Sequence, residues 1–258
     1  MTFSFAFYLT LVVLITGVIT LLDVVVLRKL RARSGAKQSV FVEYSRSFFP
    51  ILLVVWILRS FVIQPYRVPT GSLEPTVMPG DFIAVSQFSY GLYFPVVHKK
   101  FLNVGEPKRG DIALFRWPVN PKIVFVKRVI GLPGDHIIYK NKVLTINGVV
   151  AKQKFIKVTY DYGNAPGQKR QVYEMQEDLD GVKHKIFIQP IGGQTGNYDL
   201  VVPANQYFMM GDNRDNSDDS RRWGFVPQHN LIGKAFGVWM SWDPVHHRIR
   251  WNRIGKGL

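Results

Sequence analysis

The chain has 258 residues, a formal net charge of +15 and 14% aromatic residues, which suits a membrane anchor followed by one sizeable globular domain. It holds no cysteine, so disulfides, thiolate nucleophiles and Cys-ligated zinc are excluded. The basic excess fits either nucleic acid or an anionic membrane surface, and the apolar N-terminus favours the membrane.

Phe3–Leu27 is almost wholly apolar, with Asp23 its one charge. It is long enough to cross a bilayer. No cationic side chain precedes it and no small-x-small cleavage site follows, so it reads as a transmembrane helix rather than a cleaved leader. The segment 28–47 carries Arg28, Lys29, Arg31, Arg33, Lys37 and Arg46 against the single acid Glu43, and the positive-inside rule places it in the cytoplasm. Residues 48–63 form a second, shorter span, with Pro50 expected in its first turn and Arg59 near its far end, within snorkelling reach of the interface. Two spans flanking a cytoplasmic loop put residues 64–258 outside the cytoplasm.

From Gln64 the pattern becomes one of short β-forming runs. The runs are Asp81–Val85, Asp111–Phe115, Ile123–Ile130, His136–Tyr139, Lys142–Ile146, Lys185–Gln189, Gln206–Met210 and Ala235–Met240. Gly, Pro, Asn and Asp separate them, which predicts a mostly β domain. Val150–Asn197 is polar and irregular, and reads as hairpins and loops inserted into that core.

The stretch Pro69-Thr-Gly-Ser-Leu-Glu-Pro-Thr76 follows the second span closely. At the reach of an extended chain, Ser72 lies within about 30 Å of the membrane edge. It is not the nucleophile elbow of a G-x-S-x-G hydrolase, because Thr70 and Glu74 occupy the outer glycine positions. No H-E-x-x-H occurs, and His246-His247 reads as a polar patch rather than a metal site. The run from Asp212 to Asp219 fails as a calcium loop, with Ser217 at its sixth position and Trp223 at its twelfth. Serine with lysine remains. A lysine can take a proton only when neutral, so it has to be buried. Lys127 lies in the run Ile123–Ile130, where alternation puts Ile123, Phe125, Lys127 and Val129 on one face and Val124, Val126, Arg128 and Ile130 on the other. The pattern leaves open which face is inside. Lysine can shed its charge on burial; arginine cannot.

These residues resemble bacterial type I signal peptidase (leader peptidase). The resemblance rests on Val68-Pro-Thr-Gly-Ser-Leu-Glu-Pro-Thr76 with Gly80-Asp-Phe-Ile83, on Lys108-Arg-Gly-Asp-Ile112, and on Val126-Lys-Arg-Val-Ile-Gly-Leu-Pro-Gly-Asp135. Its longest block is Gly211-Asp-Asn-Arg-Asp-Asn-Ser-Asp-Asp-Ser-Arg221, followed by Trp223-Gly-Phe-Val-Pro227. It implies a signal-peptidase/LexA-like β fold with an inserted β-hairpin subdomain at about 137–204. Ser72 is then the nucleophile, Lys127 the general base and Ser217 the group that orients the lysine. The backbone N–H of Ser72 and the hydroxyl of Thr70, where the family more often has serine, form the oxyanion hole. Asp219–Arg221 and Arg128–Asp212 are structural ion pairs, and Val68, Leu73, Val77, Phe125 and Val126 line shallow pockets for small side chains. No cofactor or metal is implied. The expected partners are preprotein signal peptides and the phospholipid bilayer, not nucleic acid. The expected location is the bacterial cytoplasmic membrane, with the catalytic domain on its periplasmic side. Two competing readings are a soluble self-cleaving repressor, which the two spans oppose, and a tethered binding domain without catalysis, which Ser72, Lys127 and Ser217 together oppose.

Overall fold

The computed structural model describes residues 5–34, 37–93, 100–102, 104–161, 169–194 and 196–258. They form two compact units, one from residues 1–64 with 91–103 and the other from 65–90 with 104–258.

The first unit is built on two helices long and apolar enough to cross a membrane, Phe7–Arg33 and Val40–Val62. The first is α-helical over Phe5–Leu22, loosens to a π-helical turn at Asp23–Leu27, and continues as Arg28–Ser34. Phe3 and Ser4, the expected start of this span, lie outside the described residues. Asp23 is buried and accepts from Arg31 at 2.5 Å. The buried carboxylate is thereby paired within its own helix. The two helices are joined by Trp56 Nε1 donating to Thr10 Oγ1 at 2.9 Å, and Gly17 lets the Phe49 ring approach closely.

The second helix begins at Val40, eight residues before the expected Phe48. Val40–Ser47 has no glycine or proline to stop it, and the helix runs through the basic segment to the extended residue Ser39. Pro50 therefore sits inside the helix, not in its first turn. There it cannot donate to the carbonyl four residues earlier.

In the second unit the main sheet runs, in spatial order, Asp81–Ser86, Leu231–Asp243, Ile112–Arg116, Val124–Gly131, Gln206–Met210 and Val226–Pro227. All these neighbours are antiparallel. The sheet curls so that both its faces are covered. Leu114 and Ile112 pack with Leu73, Val77, Ile83 and Val238, while Ala113 and Phe115 pack with Val129, Met209 and Leu231. Strands that alternate Leu/Ile with Ala/Phe and have all of Ile112–Phe115 buried are what a doubly covered sheet demands.

Between Gly131 and Gln206 the chain leaves this sheet. It makes a four-stranded sheet from Tyr198–Val201, His136–Lys140, Val143–Ile146 and Val149–Val150, and a three-stranded one from Lys152–Asp161, Arg170–Leu179 and Val182–Ile188. The stretch read as inserted hairpins and loops holds two ten-residue strands, with residues 162–168 outside the described set. Their β-formers, among them Phe155, Val158, Tyr160 and Tyr173, are interleaved with lysine and glutamate and remain solvent-exposed. The composition looks polar because little of this sheet is core. Among the described residues after Gln64, the one α-helix is the four-residue Ser220–Trp223.

Candidate active site

Ser72 follows an extended approach. The strand Ile63–Arg67 leads to Val68, whose N–H donates to Asp81 O at 2.8 Å while Gly80 N donates back to Val68 O. The chain then folds over itself. Glu74 N donates to Gly71 O, and Val77 N to Leu73 O. This turn leaves Ser72 8% exposed, at the floor of a cleft rather than on the surface. Its far end is held at Thr76, which donates to Asp212 Oδ2 at 2.5 Å and whose carbonyl accepts from Arg253 at 2.9 Å. Its near end is held by Asn213, whose backbone N–H donates to Ser72 O at 3.1 Å and whose side chain donates to Gly71 O at 3.2 Å.

Lys127 comes from the middle of Val124–Gly131, opposite Ala113 of the neighbouring strand. Its Nζ donates to Ser72 Oγ at 2.5 Å and sits 5.5 Å from the centre of the Phe125 ring. The side chain is 4% exposed, and burial pulls its pKa from the usual lysine value down to about 8, with Asp219 and Asp218 opposing the shift. Ser72 and Lys127, 55 positions apart in sequence, thus share one buried hydrogen bond. A lysine so placed is close to the range where it can exchange a proton near neutral pH.

Arg128, next along the strand, is buried as well. It grips Asp212 with two bonds, Nε to Oδ1 at 2.7 Å and Nη2 to Oδ2 at 2.6 Å, and donates to Gly110 O at 2.7 Å. Burial alone would raise the Asp212 pKa. The charge and bonds of Arg128 outweigh that and hold it below the usual carboxylate value. Asp219 and Arg221 likewise form two bonds, at 2.8 and 2.7 Å. Asp219 also accepts from Gly211 N at 3.0 Å, and Arg221 donates to Arg214 O at 2.6 Å. Here too burial pushes the Asp219 pKa up, and Arg221 more than reverses it.

Around Ser72 lies a cleft of about 350 Å³. Val68, Leu73, Phe125 and Val126 line it, and Thr70 does so from an exposed position at its lip. Val77 does not. The Leu73–Val77 turn drives it fully into the core against Ile83 and Val238. Ser217 is 3% exposed, and its Oγ has no hydrogen-bond partner among the described residues. It packs on Gly211, where a Cβ would stand 2.3 Å from Ser217 Oγ and 2.4 Å from Ser72 O. The hydroxyl is therefore brought to the neighbourhood of the nucleophile without bonding Lys127.

Sequence reasoning passed over several residues. Leu114, Asn216 and Asp218 also line the cleft. Asn213 carries the loop, and its place inside the Gly211–Arg221 block was the available signal. Glu177, in the stretch read as inserted hairpins and loops, is fully buried and pairs with Arg214, with His184 3.3 Å away. Arg214 holds the Glu177 pKa far below its usual value although burial alone would raise it. Nothing in the local pattern marks that glutamate as interior. A second cavity, about 300 Å³ and bordered by Arg109, Lys152, Asp178 and Asp180, shares no residue with the Ser72 cleft. His246 pairs with Asp243 at 2.9 Å at the surface.

A family model described as "Signal peptidase, peptidase S26" matches residues 41–242. The chain is 42% identical to a signal peptidase I of Pseudomonas fluorescens, across 90% of this chain and 83% of that protein. It is 38% identical to the signal peptidase I of Pseudomonas aeruginosa, across 99% of each. It is also similar to a signal peptidase I of Enterococcus faecalis V583 of known crystal structure, at 31% identity with a TM-score of 0.30, over 51% of this chain and 98% of that one.

Proposed function

The chain belongs to the signal peptidase I family, peptidase S26 serine proteases that remove signal peptides from preproteins, and on that premise we propose that Ser72 and Lys127 perform the cleavage in this protein. The observation that carries the proposal is the 2.5 Å contact between a buried lysine amine and a buried serine hydroxyl beside an apolar cleft.

The chemistry follows from the geometry. With a pKa of about 8, about a tenth of Lys127 is neutral at pH 7, against fewer than one molecule in a thousand at the ordinary lysine value. The neutral amine takes the Ser72 Oγ proton as Oγ attacks the scissile carbonyl carbon. The resulting oxyanion is met by the Ser72 backbone N–H and the Thr70 hydroxyl. The lysine then gives its proton to the departing amine, which frees the mature protein. Water activated by the same amine hydrolyses the acyl-enzyme and releases the signal peptide. Ser217 orients the amine. Asp219–Arg221 and Arg128–Asp212 keep the supporting block rigid.

Substrate binds as an added strand. Tyr66–Thr70 and Val124–Val126 offer extended edges to a signal peptide that has unwound at its cleavage site. The shallow apolar walls formed by Val68, Leu73, Phe125 and Val126 accept small side chains at the first and third positions before the cut.

The two apolar helices anchor the protein in the cytoplasmic membrane, and the basic segment between them faces the cytoplasm. The catalytic unit then lies outside, where signal peptides emerge. Exposed Trp239 and Trp251 and the net positive charge seat it on anionic headgroups; the charge serves lipid and not nucleic acid. Protease added to spheroplasts should digest the unit of residues 65–90 and 104–258; protection there inverts the orientation.

The decisive experiment compares wild type with Ser72→Ala on a model preprotein bearing a small-x-small cleavage site. The variant should keep the thermal transition of wild type and lose detectable cleavage. Turnover above the uncatalysed rate in a verified variant removes Ser72 from its role.

A further inference from the structure

Among the buried polar atoms of the Gly211–Arg221 block that no described residue satisfies is a hydroxyl. Ser217 Oγ is buried without a hydrogen-bond partner among the described residues, an unfavourable state for a polar atom. The hydroxyl nonetheless occupies a defined place, packed on Gly211 next to the carbonyl of Ser72. Something has to hold the backbone that presents it.

On the C-terminal side that hold is Asp219, fastened to Arg221 and Gly211 N. On the other side it comes from the inserted region. Gln194 donates its side-chain Nε2 to Ser217 O at 2.7 Å and its backbone N–H to Asp215 Oδ1 at 2.9 Å. Asp215 Oδ2 accepts from Gln189 N at 2.7 Å and from Lys142 Nζ at 2.9 Å. Lys142 Nζ further donates to Gln189 O and Gly192 O, at 2.9 and 2.7 Å. The turn that brings Gln194 round passes through Gly193 at φ +81°, so close to Asp215 that a Cβ would fall 2.4 Å from its Oδ1. Only glycine fits there. Residues 189–194 are thus wrapped around one carboxylate, and the last of them reaches Ser217.

We propose that Gln194 is a positioning residue for the cleavage reaction. By holding the Ser217 carbonyl it fixes where the Ser217 hydroxyl stands against the Lys127 amine, and the Lys142–Asp215 pair keeps Gln194 in reach. The inserted region then sets the geometry of the base, besides extending the fold. The proposal rests on the role given to Ser217 above.

The test is a double-mutant cycle on full-length enzyme in detergent, with a preprotein substrate. Gln194→Met keeps the side-chain length and removes the donor. It should lower kcat about tenfold and leave KM within about twofold, because substrate edges are untouched. Lys142→Met should act in the same direction by a smaller factor. Combined with Ser217→Ala, Gln194→Met should cost nothing further, since both act through one hydroxyl. A kcat for Gln194→Met within about twofold of wild type overturns the proposal, as does a loss that multiplies onto that of Ser217→Ala. Full activity of Ser217→Ala is a separate failure: it removes Ser217 from the mechanism, and the purpose assigned to Gln194 with it. Thermal transitions of all variants separate these results from simple unfolding.

Discussion

The two sides of the Val124–Gly131 strand solve the same physical problem in opposite ways. Lys127 and Arg128 are adjacent, and both are 4% exposed. Arg128 is met by a carboxylate that takes two of its bonds and a carbonyl that takes a third. Its charge is permanent, so burial is tolerable only with full pairing. Lys127 is met by a hydroxyl and an aromatic ring. No carboxylate among the described residues forms an ion pair with it, and burial draws its pKa to about 8. One side stabilises a charge and the other withholds stabilisation from it. Structural support and the proposed catalysis differ here by what the facing element supplies: Asp212 on one side, Ser72 on the other.

The largest expected effect comes from erasing that contrast on the catalytic side. Lys127→Arg keeps length and charge but cannot deprotonate. Its kcat/KM on a preprotein should fall by more than about 10³-fold, about 4 kcal/mol of transition-state stabilisation. Cleavage at a tenth of the wild-type rate would end the dyad assignment. The next effect lies on the supporting side. Arg128→Met leaves Asp212 buried with the Thr76 hydroxyl as its remaining side-chain donor, and should destabilise the fold by about 3–5 kcal/mol. Denaturant unfolding measures this. The protein that stays folded should cleave within about tenfold of wild type, since Arg128 touches no reacting atom. A severe kcat loss at unchanged stability would mean that the two sides are not separable.

How much of this could be read beforehand differs between the two sides too. The alternation of the 123–130 run divides Lys127 from Arg128, yet cannot say which is inside, and the structure buries both. A sheet curled enough to cover both faces removes the inside–outside distinction that alternation depends on. Strand positions were legible because Gly, Pro and Asp punctuate them. The resemblance singled out Ser72, Lys127 and the Gly211–Arg221 block, which the structure brings together, where propensity singles out none of them. What escaped was whatever depends on distant partners. Val77 is apolar and five residues from Ser72, but a local turn sends it into the core. Glu177 and Gln194 sit in a polar stretch that looks like surface, and their importance comes from Arg214 and Ser217, which only tertiary structure places beside them. Pro50 failed for a related reason. Helix ends in a basic, membrane-adjacent segment are set by the whole hairpin of helices rather than by the apolar run.

The smallest predicted effect is the most specific, because it depends on pH with a definite sign. The folded-state pKa of Lys127, about 8, lies below its ordinary value of 10.5. Below pH 8 both the folded and the unfolded chain hold the proton there, and the folded chain carries the full cost of a buried ammonium. Between pH 8 and 10.5 the unfolded chain binds more protons at this site than the folded one, so the cost is relieved as pH rises. Lys127→Met removes the charge and keeps the bulk. At pH 7 it should stabilise the catalytic unit by about 1–3 kcal/mol, with that gain shrinking steadily above pH 8. The rising limb of wild-type kcat/KM should fall in the same region, for it reports the same proton. Paired thermal melts at pH 7 and pH 9.5 decide the matter. A gain that does not change with pH would mean that Lys127→Met stabilises through packing alone, and that Lys127 is not the buried, discharged base on which the contrast with Arg128 depends.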